Sequence, residues 1–249
     1  MFLKTVEINN KSLVADIVAL DYRTADVFRR HGIGYCCGGK WPIDVACEMQ
    51  GVDADKVRQE LEMATRTIQV SNRLDFAEWD IDFMIDYIIN VHHRYLKKTL
   101  PETQQLLADF SKEHLKKFPW LADLGQQFDL LIKQLLPAAQ QEEEVLFPYI
   151  RQIAHAHQSR EPYAALLIRT LRKPLDDSMF KGHKTIAAII SSIRNITNGY
   201  TTPENVCTSH KVVLAKLKEL DNDISQHFYL EQSILFPRAV AIEKEVLGA

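Results

Sequence analysis

The segment Glu142-Glu143-Glu144-Val145-Leu146-Phe147-Pro148 returns 89 residues later as Glu231-Gln232-Ser233-Ile234-Leu235-Phe236-Pro237, with Glu, Leu, Phe and Pro in register. Self-similarity at a fixed offset marks a duplicated supersecondary unit. The match extends backward, because 90 residues separate His93 from His183. Each of these histidines lies on the helical stretch before the one that carries its glutamate. Two copies of a helical hairpin, each with one apolar face to bury, predict an antiparallel four-helix bundle.

The surrounding sequence fits this expectation. Gly and Pro number nine each, alternating β-branched runs are scarce, and long segments carry helical periodicity, so the chain should be all-α. Four long helices are expected, over residues 80–110, 120–155, 176–197 and 203–241. Pro137 and Pro148 should kink or interrupt the second of these, and Pro237 the fourth. Residues 116–119 and 198–202 carry connection signals, and residues 158–174 join the two halves with room for some helix.

The N-terminal residues 1–70 form a separate small helical domain, joined through a linker at 71–79 to a bundle over 80–249. Short helices are expected at 12–18, 22–31, 42–50 and 53–66, the last with Asp53 as N-cap. Gly32, Gly34, Gly38 and Gly39 surround Tyr35, Cys36 and Cys37, which predicts a tight loop with unusual backbone angles or a close approach.

Composition excludes several classes of partner. With 30 basic and 33 acidic residues the net charge is −3, which draws the chain to neither nucleic acid nor anionic lipid. No apolar run approaches the roughly 20 residues that span a bilayer. Residues 1–11 lack the basic and apolar regions of a secretory signal. The cysteines are Cys36, Cys37, Cys47 and Cys207, and adjacent cysteines seldom bridge each other. Thiols in a reducing compartment, hence a cytoplasmic protein, are the expectation.

The repeat also gathers chemistry. His227 and Glu231 are four apart and share a helix face. Each hairpin can send a histidine from its first helix and a glutamate from its second toward a common axis. His93, Glu142, His183, His227 and Glu231 are therefore candidate metal ligands. Carboxylates and imidazoles gathered in a bundle core build di-iron sites, where carboxylates bridge two cations and imidazole suits iron. A lone histidine is more often a satisfied core or surface residue. Recurrence of the same groups in both halves favours metal over that blander reading, and over duplicated helix ends with solvated glutamates.

One position breaks the symmetry. The residue 89 before His227 is Ala138. Gln134 and Gln141 lie on roughly the same face and could hold a water there, so one metal would have an open position or bind weakly. His92 points about 100° away from His93, and register with His183 selects His93. His114, His155, His157 and His210 have no histidine mates and are read as surface or supporting residues, and Glu143 and Glu144 as solvated. For Cys36 and Cys37 a structural role, metal or cluster ligation, and redox or exchange chemistry all stay open. Cys47 and Cys207 read as small buried apolar residues.

The stretch Asp21-Tyr22-Arg23-Thr24-Ala25-Asp26-Val27-Phe28, running into His31-Gly32-Ile33-Gly34-Tyr35-Cys36-Cys37-Gly38-Gly39, resembles the N-terminal domain of the repair-of-iron-centres proteins. His93 with Leu100-Pro101 resembles the start of their hemerythrin-like domain, and His227-Phe228-Tyr229-Leu230-Glu231 with Ile234-Leu235-Phe236-Pro237-Arg238-Ala239 resembles its end. The resemblance implies a non-haem di-iron centre that helps restore iron–sulfur clusters damaged by nitric oxide or oxidants. It makes His93, His183 and His227 terminal ligands, Glu142 and Glu231 bridging carboxylates, and matches Cys36 and Cys37 to the family's adjacent cysteines. Ala138 stands where that pattern has a histidine, which leaves two irons or one per chain. The implied partners are iron–sulfur client proteins and nitric oxide or oxygen as a small ligand, with a homodimer left open. The alternatives are a hemerythrin-like oxygen or nitric oxide binder without turnover, and a degenerate scaffold.

Overall fold

The computed structural model describes residues 3–4, 8–9, 11–35, 39–65, 67–68, 74–171 and 177–247. The fold is all-α, and the described residues add a two-residue antiparallel pairing of Leu3–Lys4 with Thr67–Ile68 and an isolated bridge between Leu13 and Pro42. Contacts divide the chain into two compact units, Met1–Arg73 with Tyr200–Leu217, and Leu74–Gly199 with Lys218–Ala249. The first unit thus takes in residues 200–217, which the sequence assigns to the bundle. Within that unit the Lys216 ammonium lies 2.5 Å from Asp26 and over the ring of Tyr22.

The first unit contains α1 (Val14–Leu20), α2 (Thr24–Arg30), α3 (Ile43–Gln50) and α4 (Ala54–Thr65). Val14, Ile17, Phe28, Ile43, Val57 and Leu61 form its buried interior. α3 ends at Gly51 in the left-handed region (φ 64°), where the Val52 N–H reaches back to the Cys47 carbonyl at 3.0 Å. Asp53 then caps α4, its Oδ1 accepting from the N–H groups of Asp55 at 2.8 Å and Lys56 at 3.3 Å. The expected close approach falls at Gly39, where a Cβ would stand 2.5 Å from the Tyr35 carbonyl oxygen and 2.8 Å from the Ala15 Cβ. Cys36 and Cys37 themselves lie outside the described residues.

The second unit is a bundle of four long helices. α5 runs through Ile81–Tyr87, Ile88–His93 and Arg94–His114 without a break, and α6 through Leu121–Gln141, Glu142–Leu146 and Phe147–Gln158. The shorter α7 (Ala164–Leu171) precedes α8 (Asp177–Ile196). α9 comprises Thr208–Tyr229, Leu230–Leu235 and Phe236–Leu247, and its first residues belong to the other unit. It starts at Thr208 rather than at the expected Pro203. Polar pairs fix neighbouring helices antiparallel. Gln104–Asp129 and Arg151–Asp86 tie α5 to α6, and Arg194–Asp221 ties α8 to α9. Among the described residues no helix is long and apolar enough to cross a membrane.

The prolines behave differently from the expectation. α6 continues through Pro137 without interruption. Before Pro148 and Pro237 the helix widens instead of stopping. The Phe147 N–H bonds the Glu142 carbonyl and the Phe236 N–H bonds the Glu231 carbonyl, each five residues back, in π-helical turns over Glu142–Leu146 and Leu230–Leu235. A proline ring clashes with the carbonyl four residues before it, and a widened turn draws that carbonyl aside. The repeated Glu-x-x-x-Leu-Phe-Pro is therefore the signature of a π-turn. A third such turn, Ile88–His93 on α5, places the Arg94 N–H on the Ile89 carbonyl.

Gly39→Ala is expected to lower stability by about 1–3 kcal/mol through overpacking against backbone. Gly125→Ala on α6, where a Cβ meets nothing within 4 Å, should raise it by roughly 0.5–1 kcal/mol through helix propensity. Denaturant unfolding followed by circular dichroism checks both.

Candidate metal centre

All three π-turns open onto one place in the middle of the bundle. Met84, Ile85, Ile150 and Leu235 belong to one buried apolar cluster of the bundle, and Leu96, Leu100, Leu135 and Ile190 are buried as well. His93, Glu142, His183, His227 and Glu231 are all buried, with Glu231 at 0% exposure. Donor atoms of His93, Glu142, His227 and Glu231 fall within 4.8 Å of one another. His183 joins them through Glu142 Oε1 at 3.1 Å and Glu231 Oε2 at 3.6 Å.

The distances resolve two poles. At one, His93 Nε2 and His227 Nε2 are 3.0 Å apart, His93 Nε2 is 3.4 Å from Glu142 Oε2, and His227 Nε2 is 3.0 Å from Glu231 Oε1. At the other, His183 Nε2 faces the remaining oxygens, Glu142 Oε1 and Glu231 Oε2. Each carboxylate therefore turns one oxygen to each pole, the disposition of a bridging ligand.

The metal-free electrostatics of such a cluster are strained. Burial pushes the Glu142 carboxyl up, but the hydrogen bond from His183 and the close approach of His93 outweigh it and hold the group down at about 2. Burial and the Glu142 charge drive Glu231 well above the carboxylate range. Burial lowers His227 to about 3. For His93 and His183 burial is overcome by the glutamates, and both rings stay above their ordinary value. Protein donors also leave atoms unsatisfied, since Glu142 Oε2 and both oxygens of Glu231 are buried without a hydrogen-bond partner. Glu231 Oε1 is close to His227 Nε2 without the alignment a hydrogen bond needs. Such orphaned acceptors cost about 1–3 kcal/mol or more each, and cations between the imidazoles would satisfy them. The 3.0 Å separation of the His93 and His227 nitrogens suits adjacent ligands at right angles on one ion, with metal–nitrogen bonds of about 2.1 Å. The donor set thus fits transition-metal ions.

The outer nitrogens of two of these imidazoles are also held. His93 Nδ1 donates to Glu143 Oε1 at 2.7 Å, and Lys97 donates to the same carboxylate at 2.7 and 2.9 Å. Glu143 is half-buried and orients a ring, where the sequence suggests a solvated residue. The Gln232 amide meets His183 Nδ1 at 2.8 Å. Glu143 and Gln232 are the residues that follow the repeated glutamates, but they differ in type, so the repeat itself does not mark them. His92 is buried too, its Nδ1 2.9 Å from Asp223 and its ring stacked on His227 at 5.7 Å. Fixing the outer nitrogen of a ligand imidazole sets its tautomer and raises its basicity.

The other expectations divide. Glu144 is exposed, bonded to Gln140, and His155 and His157 pair with Asp82 and Glu245 near the surface. His210 is buried, which excludes the surface half of its surface-or-supporting reading. Cys47 is buried, and burial pushes its thiol up, whereas Cys207 is only half-buried. Ala138 is half-buried, and Gln134 and Gln141 are exposed, which leaves neither amide a basis for holding water in the core.

Known proteins bear on this centre. A family described as a domain of unknown function (DUF542) matches residues 10–65, and the hemerythrin HHE cation binding domain matches residues 84–173. The chain is 28% identical over 222 residues to iron-sulfur cluster repair protein YtfE of Enterobacter sp. (strain 638), covering 89% of this chain and 93% of that one. The YtfE protein of Escherichia coli O81 (strain ED1a) gives the same identity and coverage. This chain is 26% identical over 229 residues to iron-sulfur cluster repair protein ScdA of Staphylococcus haemolyticus (strain JCSC1435), covering 92% of this chain and 98% of that one.

Glu143→Gln keeps the size of the side chain and removes the charge behind His93. It should weaken metal binding about tenfold with helix content unchanged, as read by competition with a chromogenic chelator.

Proposed function

Because the chain belongs to the repair-of-iron-centres family, we propose that it is a non-haem di-iron protein that takes part in the repair of iron–sulfur clusters damaged by nitric oxide or oxidants. The observation that carries this reading is the convergence of three imidazoles and two carboxylates, with orphaned oxygens, in the bundle core. A degenerate scaffold would have no need to keep five ionisable groups buried at such cost.

Iron held there would supply one-electron redox chemistry and exchangeable coordination positions for nitric oxide or oxygen. His93, His183 and His227 would be terminal ligands, and Glu142 and Glu231 would bridge and offset the cationic charge. Glu143 and Gln232 hold the outer nitrogens of His93 and His183, so the inner nitrogens aim at the centre. All five donor residues are buried, which keeps bulk water from most of their surface. Cys36 and Cys37 would serve as assisting thiols, and the protein would meet its iron–sulfur clients in the cytoplasm.

Iron-loaded protein should restore activity to an iron–sulfur dehydratase inactivated by nitric oxide, while His93→Ala with Glu231→Ala should lose both iron and repair. Cys36→Ser with Cys37→Ser is expected to keep the iron and lose repair. Retention of full repair by the His93/Glu231 variant would sink the proposal, and retention by the double cysteine variant would remove the thiols from it. Iron should also raise the unfolding temperature of the wild type, because only the folded chain presents the site. At free iron one hundred times the dissociation constant the gain is about 2.7 kcal/mol.

A further inference from the structure

Two departures from internal symmetry fall on the same side of the centre. The duplication relates His93 to His183, Glu142 to Glu231, and His227 to Ala138. His227 serves the pole of His93, from which its Nε2 is 3.0 Å away. Ala138 precedes Glu142 by one α-helical turn, the Glu142 N–H bonding its carbonyl, as His227 precedes Glu231 by four residues. The imidazole missing at Ala138 is thus one that would have served the pole of His183. The second departure lies behind the rings. His93 is backed by the carboxylate of Glu143, with Lys97 behind it, whereas its counterpart His183 is backed by the neutral amide of Gln232. A carboxylate behind an imidazole raises its basicity as a ligand, and an amide does so less.

We infer that the two poles bind metal unequally. The pole of His93 and His227, with one oxygen from each of Glu142 and Glu231, holds its ion. The pole of His183, which has one imidazole and the two opposite oxygens, holds an exchangeable ion with an open coordination position. This deepens the iron reading above and rests on it, and it assigns the exchangeable ion to a named residue. Three protein atoms at the second pole against four at the first leave room there for a small exogenous ligand or for departure of the ion.

The test is an anaerobic titration of the metal-free full chain with Fe(II), followed by passage over a chelating resin and elemental analysis. A parallel titration with Co(II), read by its visible absorption, reports each affinity. The wild type should bind two ions in separate phases, the second about 100-fold weaker, and retain one after the resin. Ala138→His should retain two. His183→Ala should still retain one, and His227→Ala should retain none. Two ions bound with equal affinity by the wild type would overturn the inference and leave the iron reading standing. Loss of the retained ion in His183→Ala would overturn the assignment of the poles. No ion bound by the wild type would overturn both readings. Should Ala138→His fail to fold, the wild-type phases and the His183→Ala variant decide.

Discussion

A carboxylate without a partner in an apolar interior is among the costliest arrangements a protein can hold, and this bundle holds Glu142 and Glu231 side by side. Everything around them compensates. His93 and His183 stay above their ordinary pKa to face Glu142, Glu231 is driven toward its neutral form, and His227 is kept neutral by burial. The buried apolar residues of the bundle supply the packing energy that lets the fold carry the cluster. They also make it rigid, because close-packed helices leave the donor atoms no slack. Stability and chemistry therefore pull against each other at one level of the bundle, and cations between the poles would relieve both.

Much of this was legible in the sequence. The duplicated Glu-x-x-x-Leu-Phe-Pro and the offset histidines located four of the five buried groups, because duplication preserves which face of a helix points inward, and the four-residue spacing to Glu231 located His227. Asp53 was legible as a cap, since an aspartate at that place can accept from the N–H groups that follow. What stayed hidden depended on context that composition does not encode. Glu143 sits in an acidic run that reads as solvated, and only the position of the α5 histidine shows that it backs His93. Pro148 and Pro237 read as breakers because a proline rule speaks of α-turns, and the chain answers with a wider turn. His210 is buried with no sequence signal to say so.

The division of the chain at residues 200–217 has the same origin. Periodicity assigns a continuous helix to one domain, but it cannot say which neighbours its first turns meet. Lys216 meets Asp26 and Tyr22 there, residues more than 180 positions away in sequence. Amphipathic helices announce a buried face, and the partner of that face is a tertiary fact.

The π-turns have a consequence for how such a chain can vary. A turn closed over five residues holds one residue more than its α-helical equivalent, so Glu142 and Glu231 owe their inward direction to a count as much as to a composition. Removing a single residue between either glutamate and its Phe-Pro would rotate one part of the helix against the other by about 100° and turn a donor out of the core. Substitutions along these segments are therefore forgiving in a way that length changes are not. The turn before Phe-Pro occurs in both halves, whereas the turn at His93 has no equivalent in the unbroken α-helix that carries His183. The two hairpins therefore share the widening at the glutamate and differ in backbone at the histidine, as they differ in side chains.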